Sequence, residues 1–85
     1  MRESEVRLFI TECLIKRGYD MPAFQDKVPL DFDFIKAGIV DSLGLLGFVL
    51  ELEERFGISI SDDDIVTQEF RTVEGLTNMI VRKIL

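Results

Sequence analysis

Asp41-Ser42-Leu43-Gly44-Leu45-Leu46-Gly47-Phe48-Val49-Leu50-Glu51-Leu52-Glu53-Glu54-Arg55-Phe56-Gly57 reads as one helix with both ends marked. Asp41 is suited to the N-cap, because its carboxylate can accept from the backbone N–H groups that a helix leaves free at its start. Gly57 supplies the stop. An α-helix turns by about 100° per residue, so the faces can be read as angles from Ser42. Leu45, Phe48, Val49, Leu52 and Phe56 then share an arc of about 100°, wide enough for a full core-facing stripe. Leu43, Leu46 and Leu50 fall in a separate arc, on roughly the other side from Phe48.

A second apolar stripe on one helix of a small bundle needs an explanation. Either the loop before the helix buries it, or it is an exposed patch of the kind that marks a partner site. The stripe starts beside Ser42 and is flanked by Gly47, Glu53 and Glu54. Gly44 and Gly47 each cost about 1 kcal/mol relative to alanine inside a helix. Tertiary packing can absorb that cost, or small residues there let a partner or a prosthetic arm come close.

Two further helices lie on either side. From Glu3 to Arg17, Val6, Phe9, Ile10, Cys13 and Leu14 recur at helical spacing, and Gly18 follows as a stop. Cys13 lies on that apolar face and reads as a core filler. A long connection, Tyr19 to Val40, contains Met21-Pro22 and Val28-Pro29, both poor contexts for continued helix. Leu30, Phe32, Phe34, Ile35 and Ile39 are available to tie it down, and Phe32 to Lys36 is expected to form a helical turn. After Gly57, Ile58-Ser59-Ile60 alternates like a scrap of strand, and Ser61-Asp62-Asp63-Asp64 opens a short helix or turn. The last helix starts after Thr72 as N-cap, with Val73, Leu76, Ile80 and Ile84 as its buried stripe and Arg82 and Lys83 at its C-terminal end. The chain is thus expected to be all-α, a single domain over residues 1–85 with three or four helices and a long first loop.

Composition narrows the function. The 85 residues are 47% hydrophobic, a folded chain with one small core. The net charge of −6 argues against a phosphate backbone as ligand and suggests basic protein partners met by electrostatic steering. With no histidine, a serine nucleophile activated by histidine and a histidine metal cluster are both excluded. Asp62-Asp63-Asp64 lacks the alternating ligands and the glycine of a calcium loop. Cys13 is the one cysteine, so no disulfide staples the fold, and no apolar run approaches a membrane span. The chain is expected to be cytoplasmic, with no membrane or nucleic-acid partner.

Within Ala37-Gly38-Ile39-Val40-Asp41-Ser42-Leu43, the stretch closing on Ser42 resembles the modification motif of the acyl and peptidyl carrier family. There Asp-Ser-Leu opens the second helix, and the serine is joined to 4′-phosphopantetheine through a phosphodiester. The setting matches too: a first helix, a long loop, a helix ending Leu52-Glu53-Glu54-Arg55-Phe56-Gly57-Ile58, then Ile60 and acidic residues. The resemblance covers nearly the whole chain and is least specific before about Val28.

The resemblance implies a small helical bundle of acyl-carrier type that carries 4′-phosphopantetheine on Ser42 and catalyses nothing itself. Its thioester cargo would be an acyl or aminoacyl group. Its partners would be a phosphopantetheinyl transferase, an acyl or aminoacyl ligase and a downstream transferase or synthase, met by a monomer. Asp41, Leu43, Leu46, Leu50, Glu53 and Glu54 are the expected partner-binding residues. Ile65 to Val73 resembles the stand-alone aminoacyl or peptidyl carriers and some specialised acyl carriers more than the housekeeping fatty-acid carrier. Gly47 stands where the latter often has an acid. The alternative is a helical interaction module without a prosthetic group.

Overall fold

The computed structural model describes residues 3–17 and 29–85. Over these it is built of α1 (Glu3–Lys16), α2 (Ser42–Phe56), the one-turn α3 (Asp62–Ile65) and α4 (Val73–Ile84), with a 3₁₀ turn at Glu69–Arg71 before α4. The expected Gly18 stop, and the connection up to Val28, lie outside the described residues. The Ile58-Ser59-Ile60 alternation forms no strand: the three residues have no regular secondary structure. The helical turn expected over Phe32 to Lys36 is present about one residue later, as hydrogen-bonded turns with Ala37 N–H on the Asp33 carbonyl, an i to i+4 bond, and Gly38 N–H on the Ile35 carbonyl.

Side-chain caps fix three of the helix starts. Asp41 Oδ1 accepts from Gly44 N–H at 2.7 Å. Ser61 and Asp64 form a reciprocal capping box on α3, and Thr72 Oγ1 accepts from Gly75 N–H at 3.0 Å. At the end of α2, Gly57 adopts φ +64°, the left-handed closure that glycine reaches without strain.

The buried stripes converge on one core. α1 contributes Val6, Ile10, Cys13 and Leu14 and packs on α4; α2 contributes Phe48, Val49, Leu52 and Phe56. On α4, Val73, Leu76 and Ile80 are buried as expected, joined by Met79 and Thr77, while Ile84 is half-buried. Thr77 keeps its hydroxyl satisfied by donating to the Val73 carbonyl at 2.6 Å. Three rings meet at the centre: Phe34 lies edge-on to Phe48 at 5.6 Å and to Phe70 at 6.2 Å. Phe34 belongs to the loop before α2, so this cluster fastens that loop to the bundle. Phe34 N–H also donates to the Arg71 carbonyl, Asp33 pairs with Arg71 at 3.0 Å, and Val40 is buried.

Ion pairs close the periphery. Lys16 and Arg17 both reach Glu51 at 2.5 Å, Lys83 reaches Asp64 at 2.9 Å, and Arg82 holds Glu69 at 2.5 Å. Lys16, Lys83 and Arg82 respectively hold the carboxyls of Glu51, Asp64 and Glu69 below the usual carboxylate range. Burial pushes the Cys13 thiol up to about 11, with Glu51 adding to the effect, so it is a packing residue and a poor nucleophile.

Candidate functional site

Ser42 is the first residue of α2 and is exposed. Its position follows from two local causes. The buried Val40 and Phe34 pin the incoming chain, and the Asp41 cap turns it into the helix. Asp41 takes up the Gly44 N–H, and the Asp41 carbonyl takes up that of Leu45. Among the described residues, no hydrogen bond engages the N–H groups of Ser42 and Leu43. The helix thus presents two free donors and its positive dipole end beside an accessible hydroxyl. A phosphodiester on that oxygen suits such a setting, where one negative charge gains about 0.3–1 kcal/mol.

The leucine stripe is exposed: Leu43 by 90%, Leu46 by 67% and Leu50 by 47%. The described part of the loop, residues 29–40, does not cover it. The same angular reading places Leu45 on the core side, and there it is only half-buried. Leu45 lines a cleft of about 300 Å³ with Ser42, Leu46 and Leu50, closed from the other side by Ile60, Asp62 and Ile65. Those last three come from α3 and its approach, and the sequence reading did not assign them to the site. The Ser61–Asp64 capping box signals that a helix starts there, but not that it folds back against α2.

The expected acidic contacts separate. Glu54 is exposed. Glu53 is half-buried, and its Oε2 accepts from Ile60 N–H at 2.8 Å, so it holds the segment after α2 in place. Asp41 is exposed but engaged as the cap. Gly47 has a neighbour of its own: a Cβ there would stand 3.9 Å from the Arg17 guanidinium, which lies 5.3 Å from the Phe48 ring centre. The 3.9 Å is an ordinary contact distance, so packing within this chain does not require the small residue at Gly47.

Comparison with known proteins bears on the same residues. The family described as the phosphopantetheine attachment site matches residues 25–80. An acyl carrier protein from Petrotoga mobilis is 32% identical over 60 residues, 71% of this chain and 68% of that protein. A D-alanyl carrier protein from Streptococcus mutans is 28% identical over 81 residues, 91% of this chain and 92% of that protein. A second D-alanyl carrier protein, from Streptococcus suis, is 29% identical over 52 residues, 61% of this chain and 66% of that protein. No solved structure is matched.

Proposed function

The chain belongs to the phosphopantetheine attachment family, and from that premise we propose that Ser42 carries the arm and that the stripe beside it receives the partner enzymes. As a member, the protein is a carrier that tethers its cargo through covalently bound 4′-phosphopantetheine. When bound, the arm supplies the thiol that holds the cargo as a thioester.

One observation carries the assignment of Ser42. It is an exposed hydroxyl at the start of a capped helix, inside the matched span, with two unengaged N–H groups beside it. The residues around it have separate tasks. Asp41 fixes the helix start, Ser42 offers the hydroxyl, and the N–H groups of Ser42 and Leu43 face the charge that attachment brings. Leu43, Leu46 and Leu50 contact the enzyme that reaches the hydroxyl, with Glu54 at the border. The phosphopantetheinyl transferase, a loading ligase and an acceptor enzyme are the partners, and the chain itself performs no chemistry. A cytoplasmic setting goes with this reading, because it keeps Cys13 reduced.

The cargo is an aminoacyl or specialised acyl group. The D-alanyl carrier proteins among the relatives support the first of these. Coexpression with a broad-specificity phosphopantetheinyl transferase and intact-mass measurement tests the site. The wild type should gain the arm's mass, and Ser42→Ala should fold equally well and gain nothing. A modified Ser42→Ala protein would put the arm elsewhere.

A further inference from the structure

Asp33 lies on the segment that leads into Ser42, and three of its oxygens are engaged. Oδ1 accepts from Lys36 N–H at 2.8 Å, and Oδ2 accepts from Arg71 Nε–H at 3.0 Å. The backbone carbonyl accepts from Ala37 N–H at 3.1 Å. Asp33 also forms an isolated antiparallel bridge with Thr72, the residue that caps α4. Phe34 carries the connection onward. Its N–H donates to the Arg71 carbonyl at 3.0 Å, and its carbonyl accepts from Ile39 and Val40 N–H. Contacts therefore run unbroken from Arg71 through Asp33 and Phe34 to Val40, and the Asp41 cap and Ser42 follow directly.

The ion pair does something that the aromatic cluster cannot. The Phe34 ring is fully buried and fixes how deep the segment sits, but apolar contact has no direction. Hydrogen bonds do. One Asp33 oxygen orients the turn through Lys36, and the other ties that turn to a side chain 38 residues further along. Both side chains are partly exposed, Arg71 by 35% and Asp33 by 30%, so solvent screens the pair and it adds little to global stability. Its effect is local, on a segment that can open without the bundle unfolding. The Arg82–Glu69 pair joins the same 3₁₀ turn to α4 instead, and so serves as a control.

We propose that Asp33 and Arg71 are a positioning pair for the arm: their ion pair holds the segment before α2 in the conformation that presents Ser42 to the transferase. The inference rests on attachment at Ser42 and adds two residues outside α2 to that reading. With the pair broken, only a fraction of the molecules presents Ser42 correctly. An enzyme that binds that fraction sees a weaker substrate, so KM for the carrier rises while the rate at saturation is kept.

The variants are Asp33→Asn, which keeps an oxygen for Lys36 N–H, Arg71→Met, which keeps the apolar stem, the double variant, Arg71→Lys, which keeps the charge, and Glu69→Gln. Arm transfer from coenzyme A by a purified broad-specificity phosphopantetheinyl transferase gives kcat and KM for the carrier. Amide hydrogen exchange on the unmodified carrier reads local opening and needs no arm. KM should rise about threefold or more in Asp33→Asn and Arg71→Met, and no further in the double variant, with kcat within about twofold. Arg71→Lys and Glu69→Gln should stay within about twofold of wild type in both constants. Exchange at Ile39 and Val40 should accelerate about fivefold or more in Asp33→Asn and Arg71→Met, and at Val49 and Leu52 by less than about twofold. Equal acceleration at all four amides would make the pair a general brace and overturn the proposal. Unchanged KM in both single variants, or losses that multiply in the double variant, would overturn it too and leave Ser42 as the site. A wild type that never gains the arm, or a Ser42→Ala variant that does, removes the attachment site and this proposal with it.

Discussion

Replacing Gly75 by alanine should destabilise the protein, although helix propensity alone gives the opposite sign. Gly75 sits in the first turn of α4, where its N–H donates to the Thr72 hydroxyl. A Cβ there would stand 2.2 Å from the Glu69 carbonyl oxygen and 2.9 Å from the carbonyl carbon and Cα of the same residue. Ordinary contact begins at 3.4 Å, so the methyl group would be roughly 1 Å too close to backbone that cannot rotate away. The 3₁₀ turn has little room to retreat. Phe70 in it is fully buried against Phe34 and Phe48, Arg71 is tied to Asp33, and Glu69 to Arg82. Overpacking of this kind costs about 1–3 kcal/mol and sometimes more, against a propensity gain of at most about 1 kcal/mol. With the propensity gain subtracted, the net loss should be up to about 2 kcal/mol, a drop of up to roughly 15 °C in Tm for a domain of this size.

Gly47→Ala is the matched control. Its Cβ would meet only the Arg17 guanidinium, at an ordinary 3.9 Å, so the propensity gain should appear as up to about 1 kcal/mol of added stability. Urea unfolding followed by far-ultraviolet circular dichroism reads both. A Gly75→Ala midpoint at or above wild type, with Gly47→Ala behaving as expected, would refute the close approach of α4 to the 3₁₀ turn.

Two more outcomes follow from the core and the ion pairs. Phe48→Ala should cost about 3–5 kcal/mol, because it removes the ring against which Phe34 and Phe70 both pack; an unchanged urea midpoint would mean that this cluster does not hold the bundle. The depressed carboxyls of Glu51, Asp64 and Glu69 bind protons less readily folded than unfolded, so their contribution is present above the ordinary carboxylate range and is lost as pH falls through their lower folded values. Urea midpoints measured down to about pH 3 should therefore fall below about pH 4, and less steeply in Asp64→Asn; a midpoint that rises over that interval would contradict the pairing.

Much of this was legible because α2 obeys local rules. Asp41 and Gly57 mark its ends, and the caps observed there are the ones those residue types favour. The angular reading separated Phe48, Val49, Leu52 and Phe56 from Leu43, Leu46 and Leu50, and burial divides them the same way. Thr72 was readable for the same reason, because a cap is a contact within three residues. Long-range pairings left no such trace. That Arg17 would lie over Gly47, that Glu53 would hold Ile60, and that Ile60, Asp62 and Ile65 would close a cleft against Ser42 depend on how α3 and the end of α1 fold back. The acidic total was legible, but its distribution between paired and free carboxylates was not, and it is the distribution that a partner meets.

The same long-range contacts determine how firmly Ser42 is held. An arm attached at Ser42, as proposed, is useful only if its base has a defined position, and the first turn of a helix is where fraying begins. Here the fraying end is fastened from behind. Val40 N–H donates to the Phe34 carbonyl, Phe34 N–H donates to the Arg71 carbonyl, and the Phe34 ring is locked between Phe48 and Phe70. Arg71 directly precedes the Thr72 cap of α4, and Glu74 N–H reaches back to the Leu30 carbonyl. The segment leading into Ser42 is thus clamped to the start of a different helix. The backbone around Ser42 can be ordered while its hydroxyl and the leucines beyond it stay exposed, because the restraint comes from residues that no partner needs to touch.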